Sequence, residues 1–157
     1  MQKICRQAEK MLSELEGLSL SMARKLDPCE LYELLFGNSY VNYEEAPNGT
    51  QDKRVHFEFC IHGQCDVRIG EERLTGWSTD GELQRALRGF LGTAVEEAAL
   101  GAENVLRLRF PAGAIEFCPI PDRDEAWRLF SQDRARAHLV ATSSDMTLEY
   151  ENRRGCE

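Results

Sequence analysis

Two stretches of this chain repeat one pattern. Around Gly17 the order is Leu12, Leu15, Gly17, then alternating Leu18, Leu20 and Met22, with an apolar stretch ending at Phe36. Around Gly92 it is Leu87, Phe90, Gly92, then Ala94, Val95 and Ala98, followed by Leu106, Leu108 and Phe110. The glycines lie 75 residues apart and the two phenylalanines 74. A helix, a glycine stop and two strands recur. A repeat made of packing residues describes a scaffold rather than a reaction. The two copies share no polar constellation, so function is expected where they differ. Those places are the segment 38–54, absent from the second copy, and the Trp77–Glu82 corner, absent from the first.

The first helix is expected over residues 2–16. Ile4, Ala8, Met11, Leu12 and Leu15 share one face, with charged residues elsewhere, and Gly17 is a suitable C-terminal stop. Residues 27–37 are read as a strand, although Asp27-Pro28 and Gly37 also fit a helix. Residues 38–54 read as a long exposed loop, or a loop with a short hairpin at Asn48-Gly49. Val55, Phe57, Phe59 and Ile61 alternate with His56, Glu58 and Cys60, which predicts one strand. Gly63 then marks a tight turn into a returning strand with Cys65, Val67 and Ile69. Thr79 and Glu82 form a capping-box pattern that opens a helix over 81–91. Strands follow at 93–99, 104–110, 114–118, 126–130, 137–142 and 146–150, with Pro111-Ala112-Gly113 turning between two of them.

Strand after strand with tight turns predicts antiparallel pairing. The expected fold class is α+β, with two similar helix-plus-antiparallel-meander halves forming a curved sheet or open barrel. They lie at approximately 4–70 and 80–150 of a single domain covering 1–157, with a frayed tail at 151–157. A chain of 157 residues can bury roughly 68–70% of its unfolded surface, enough for a core without metal or disulfide staples.

The formal charge is −8 and the isoelectric point near 5.0. No basic run exceeds two residues, and Arg134 and Arg136 lie beside Asp133, so no patch for neutralising phosphates is visible, which argues against nucleic acid. A basic protein partner fits an acidic chain better, through electrostatic steering. No apolar run nears the roughly 20 residues of a membrane span. Glu9 and Lys10 interrupt the region where a signal peptide would carry its apolar core. A cytoplasmic location is therefore expected, with no membrane partner and with the six cysteines as reduced thiols.

The most tempting chemical cluster is His56, Cys60, His62 and Cys65. Parity puts His56, Cys60 and His62 on one strand face, and a turn at His62-Gly63 would set Cys60 opposite Cys65. Cysteine and histidine near a turn can hold zinc. The usual knuckle has two residues between its cysteines and here there are four, so strand cysteines with exposed histidines are the preferred reading and no metal or cofactor is assigned. No nucleophile elbow, phosphate-cradling glycine loop or His-Glu-x-x-His occurs, and a non-enzymatic protein is expected. The pairs Glu44-Glu45, Glu71-Glu72 and Glu96-Glu97 and the group Asp122, Asp124 and Glu125 read as surface charge. Trp127 is expected to cap the core, and Trp77 to be the more exposed tryptophan.

Gly17-Leu18-Ser19-Leu20, Leu34-Leu35-Phe36-Gly37 and Val55-His56-Phe57-Glu58-Phe59-Cys60 through Val67-Arg68-Ile69 together resemble a group of small uncharacterised bacterial α+β proteins. Leu91-Gly92, Leu106-Arg107-Leu108-Arg109-Phe110 and Asp124-Glu125-Ala126-Trp127-Arg128-Leu129-Phe130 extend the resemblance over most of residues 15–142. In such proteins a Trp often follows the strand cysteine as part of a Cys-x-Trp-Arg run; Cys60-Ile61-His62 departs from it, and Asp66-Val67-Arg68 only partly restores it. The resemblance implies a cytoplasmic protein without assigned catalytic residues, and some of the group resemble immunity proteins of toxin–immunity systems. The expected function is thus protein binding, most concretely neutralisation of a basic toxin domain by occlusion. The expected contacts are Glu71, Glu72, Trp77, Asp80 and Glu82, with Asp122, Asp124 and Glu125 as a second patch. The alternative is a non-catalytic small-molecule or peptide-binding open barrel, which requires an apolar cavity between sheet and helices.

Overall fold

The computed structural model describes residues 2–26, 31–38, 40–75, 80–119, 125–133, 135–142 and 144–150. Helix α1 spans Gln2–Leu15 and buries Ala8, Met11, Leu12 and Leu15, as the spacing predicts. Helix α2 spans Asp80–Arg88 and buries Leu83 and Leu87. The strands are β1 (Leu20–Leu26), β2 (Leu31–Phe36), β3 (Tyr40–Glu45), β4 (Gln51–His56), β5 (Phe59–Gly63), β6 (Cys65–Ile69) and β7 (Glu72–Leu74). After α2 come β8 (Glu97–Leu100), β9 (Leu106–Phe110), β10 (Gly113–Phe117), β11 (Trp127–Ser131), β12 (His138–Ala141) and β13 (Met146–Glu149).

Two antiparallel sheets carry the fold. The first has six strands in the order β1-β2-β5-β11-β12-β13, the second five in the order β7-β6-β10-β9-β8, and β3 and β4 form a separate hairpin. Alternation decides what faces inward. Leu34 and Phe36 of β2, Ile61 of β5, Trp127 and Leu129 of β11 and Leu139 of β12 join one core with Val67 of β6, Leu106, Leu108 and Phe110 of β9 and Ile115 and Phe117 of β10. Helix α1 packs against β8 and β13, one edge strand from each sheet, and α2 against β1 and β6. Each helix thus buries its apolar stripe where a sandwich would otherwise open.

The expected α+β class of two helix-plus-meander halves is corrected. Among the described residues the protein is mostly β, 50% strand and 17% helix, with two α-helices and several antiparallel sheets. Neither sheet is built from one half: β11, β12 and β13 complete the sheet begun by β1, β2 and β5, while β6 and β7 join β8, β9 and β10. The physical cause lies at Gly63. A Cβ there would sit 2.9 Å from both Phe117 Cδ1 and Trp127 Cβ, so only glycine lets the backbone run this deep between the layers. The chain therefore crosses from β5 in one sheet to β6 in the other instead of turning back on itself. The expected Cys60–Cys65 opposition goes with the hairpin: β5 and β6 belong to different sheets.

The segments after the two glycine stops pair with each other. Gly17 N–H donates to Val95 O at 2.8 Å, Val95 N–H to Leu18 O at 2.9 Å, Leu20 N–H to Thr93 O at 3.0 Å and Gly92 N–H to Leu20 O at 2.8 Å, around an antiparallel Ser19–Ala94 bridge. Gly17 and Gly92 adopt φ of +89° and +81°, where a side chain would be strained. The matching spacing in the sequence marks these two joined segments. Elsewhere the single strand expected over 55–61 breaks at Phe57-Glu58, because β4 pairs with β3 while β5 enters the six-stranded sheet. The 38–54 segment is the β3–β4 hairpin, closed at Asn48-Gly49 by Asn48 Oδ1, which accepts from Thr50 N–H at 3.1 Å. The 27–30 part of the expected strand, Trp77, Thr79, Asp122, Asp124 and the tail 151–157 lie outside the described residues.

Candidate functional site

A groove of about 620 Å³ runs between α1, β8 and the β12–β13 turn, within the roughly 300–1,000 Å³ typical of ligand sites. Ala8 and Leu12 of α1, Ala98 and Leu100 of β8 and Met146 of β13 supply apolar surface; Glu9, Glu16 and Asp145 bring carboxylates. Small residues create the space: Ala8 on the buried helix face and Ala98 and Ala99 on the strand leave room that larger side chains would fill. Among the described residues β8 and β13 are the edges of their sheets, positions at which strand backbone can pair with another chain. On β8 the Glu16 carboxylate accepts the Ala98 N–H at 3.1 Å.

Asn104 holds this end of the molecule together. Its Nδ2 donates to Thr142 O at 3.0 Å and to Asp145 O at 2.9 Å, and its carbonyl accepts the Trp127 indole N–H at 2.8 Å. The β8–β9 connection of one sheet is thereby tied to the β12–β13 turn and to β11 of the other. The tie requires Glu103 and Asn104 to adopt φ of +56° and +60°. Positive φ is uncommon outside glycine, asparagine being among the best tolerated, and such backbone collects at ligand sites. Asn104→Ala should cost about 2–3 kcal/mol, from two lost hydrogen bonds of about 1 kcal/mol each and the left-handed backbone. Asn104→Gly should recover the backbone part. Urea unfolding of both variants checks this, and equal losses would contradict the backbone assignment.

A second constellation lies on the outer face of the six-stranded sheet. The β2–β5 register puts Glu33 opposite His62 and Leu35 opposite Cys60. Glu33 Oε2 lies 2.9 Å from His62 Nε2, and Arg24 Nη2 lies 2.8 Å from Glu33 Oε1. Phe130 packs edge-on against His62 at 5.0 Å between ring centroids and stacks on His138 at 4.6 Å. Arg128 is shared by Glu125 and Glu149, at 2.7 and 2.8 Å. Burial, then the Glu33 charge, pushes the Cys60 thiol up; burial also raises Cys65 and Cys118. A nucleophilic cysteine needs the opposite shift.

Of the expected contact residues, Glu71, Glu72, Asp80, Glu82 and Glu125 lie among the described residues. Glu71 is in the β6–β7 turn, Glu72 starts β7, and Glu82 is on α2; all three are exposed. Asp80 is the first residue of α2. Glu125 of the second patch is exposed and bound to Arg128. Trp127 is buried, as expected. Cys65 points into the core, away from Cys60. The groove is silent in the sequence because its alanines carry no chemical signal and its polar residues, Glu9, Glu16, Asn104 and Asp145, come from separate parts of the chain.

Comparison with known proteins returns no matching family model, no matching curated sequence and no matching solved structure. What the fold and site define is a small, mostly β, two-sheet protein with an acidic-rimmed groove under its N-terminal helix. Among the described residues no helix is long and apolar enough to cross a membrane.

Proposed function

We propose that this chain is a protein-binding protein whose α1–β8 groove receives a short segment of a basic partner: an aliphatic side chain flanked by lysine or arginine. The observation that supports this reading is the groove itself, apolar on its floor and bordered by Glu9, Glu16 and Asp145, on a chain of net charge −8. The aliphatic group would gain about 25 cal/mol for each Å² of apolar surface removed from water. The carboxylates would act mainly on encounter rate and partner choice. A toxin neutralised by occlusion is one partner of this kind, and immunity is the narrower form of the proposal. A small apolar ligand of similar volume is the second reading, favoured by the same cavity.

Selection of a displayed random-peptide library on the purified chain tests the proposal. Enriched peptides should combine Lys or Arg with Leu, Ile or Val. Ala98→Trp, which fills the groove, should weaken the selected peptide at least about tenfold, or 1.4 kcal/mol. Glu9→Lys, on the exposed rim, should slow association and flatten its salt dependence. Neutral or acidic winners, or unchanged affinity for Ala98→Trp, would overturn it.

A further inference from the structure

We propose that Glu33, Cys60 and His62 form a binding site for zinc or a similar borderline divalent metal on the outer face of the six-stranded sheet. Cys60 and His62 are two apart on β5 and so share that face, and the register sets Glu33 of β2 directly across from His62. One sulfur, one imidazole nitrogen and one carboxylate oxygen lie within 4.8 Å of one another, the only such trio among the described residues. Zinc bonds of about 2.0–2.3 Å place tetrahedral donors roughly 3.5 Å apart, so modest side-chain rotation closes the set.

The surroundings are those of a supported site. Arg24 holds Glu33 Oε1 and leaves Oε2 toward His62; Phe130 fixes the imidazole plane. Partners of this kind orient metal ligands. Cys60 is 1% exposed beneath while the His62 side chain is 30% exposed, so an ion enters from solvent and settles onto sulfur. Three protein donors leave the fourth position to water. The donor types select the metal: thiolate and imidazole favour zinc over magnesium or calcium, which want oxygen alone. On binding, the thiol proton leaves to solvent, a sulfur–metal bond forms, and the direct His62–Glu33 contact becomes a bridge through the metal. This site is independent of the groove, which lies at α1 and β8.

The test uses the full, tag-free chain dialysed against zinc and analysed for metal content, then titrated with cobalt. The expected result is one zinc per chain and a thiolate-to-cobalt charge-transfer absorption. Cys60→Ser should abolish that absorption, and Cys60→Ser and His62→Asn should each weaken zinc by more than the roughly 10–100-fold that loss of a supporting partner costs. Arg24→Ala should fall within that range. Circular dichroism establishes that each variant is folded; His62→Asn, at a half-exposed position, stands in if Cys60→Ser is not. Cys65→Ser and Cys118→Ser should bind like the wild type. A wild-type chain that retains no zinc, a cobalt complex without thiolate absorption, or loss of binding in Cys118→Ser would overturn the proposal.

Discussion

Trp127→Ala should cost about 3–5 kcal/mol, the range for removing a buried large aromatic. The indole is 1% exposed and sits in the core shared by both sheets. Its loss leaves a cavity in that core beside Gly63, the register partner of Trp127 at the β5–β6 crossing. It also removes the donor to Asn104 O, which then needs another partner at the strained Glu103–Asn104 turn. Against a typical total of 5–15 kcal/mol the variant should be partly unfolded at 37 °C. Trp127→Phe separates the two causes: it keeps most of the buried area and loses the hydrogen bond, worth about 1 kcal/mol. Chemical denaturation measures both. A loss under about 1.5 kcal/mol for Trp127→Ala would mean that the sheets do not share the core described here.

Gly113→Ala should be comparably damaging for a different reason. The added methyl would land on the Arg68 carbonyl oxygen, with Ile69 Cα 3.3 Å away. Both are backbone atoms of β6, and β6 and β10 are central neighbours in the five-stranded sheet. No side chain can swing aside, so the β10–β6 ladder must part at Ala114 and Arg68. Overpacking typically costs about 1–3 kcal/mol and sometimes more; contact with fixed backbone puts this at or above about 3. Hydrogen exchange should show the loss centred on β6 and β10. A variant as stable as the wild type would contradict the register assigned to these strands.

Local signals carried the elements well. The helical spacing of Ala8, Met11, Leu12 and Leu15 ended by Gly17, and the strict alternation of Leu106, Leu108 and Phe110 before Pro111-Ala112, gave α1 and the β9–β10 hairpin within a residue or two. The sheet assembly was hidden because it depends on one glycine. Gly63 between two alternating runs has the signature of a tight turn, and only the distant Phe117 and Trp127 reveal it as a crossing. The same holds for the sites. Parity paired Cys60 with His62, but Glu33 joins them through the β2–β5 register, which no local pattern encodes. Charge drew attention to Glu71, Glu72 and Glu82 because carboxylates are visible in a sequence. Concavity is not: the groove exists because Ala8, Ala98 and Ala99 are small and because Asn104 ties two sheets at one end.

A partner segment is proposed to bind in the groove under α1. Amide chemical-shift mapping with the tightest peptide from the library selection tests it most directly. The shifts should concentrate on residues 8–16, 97–100 and 144–146 and leave Glu71–Leu74 and α2 unmoved. Shifts confined to Glu71, Glu72 and Glu82, with α1 and β8 silent, would contradict it.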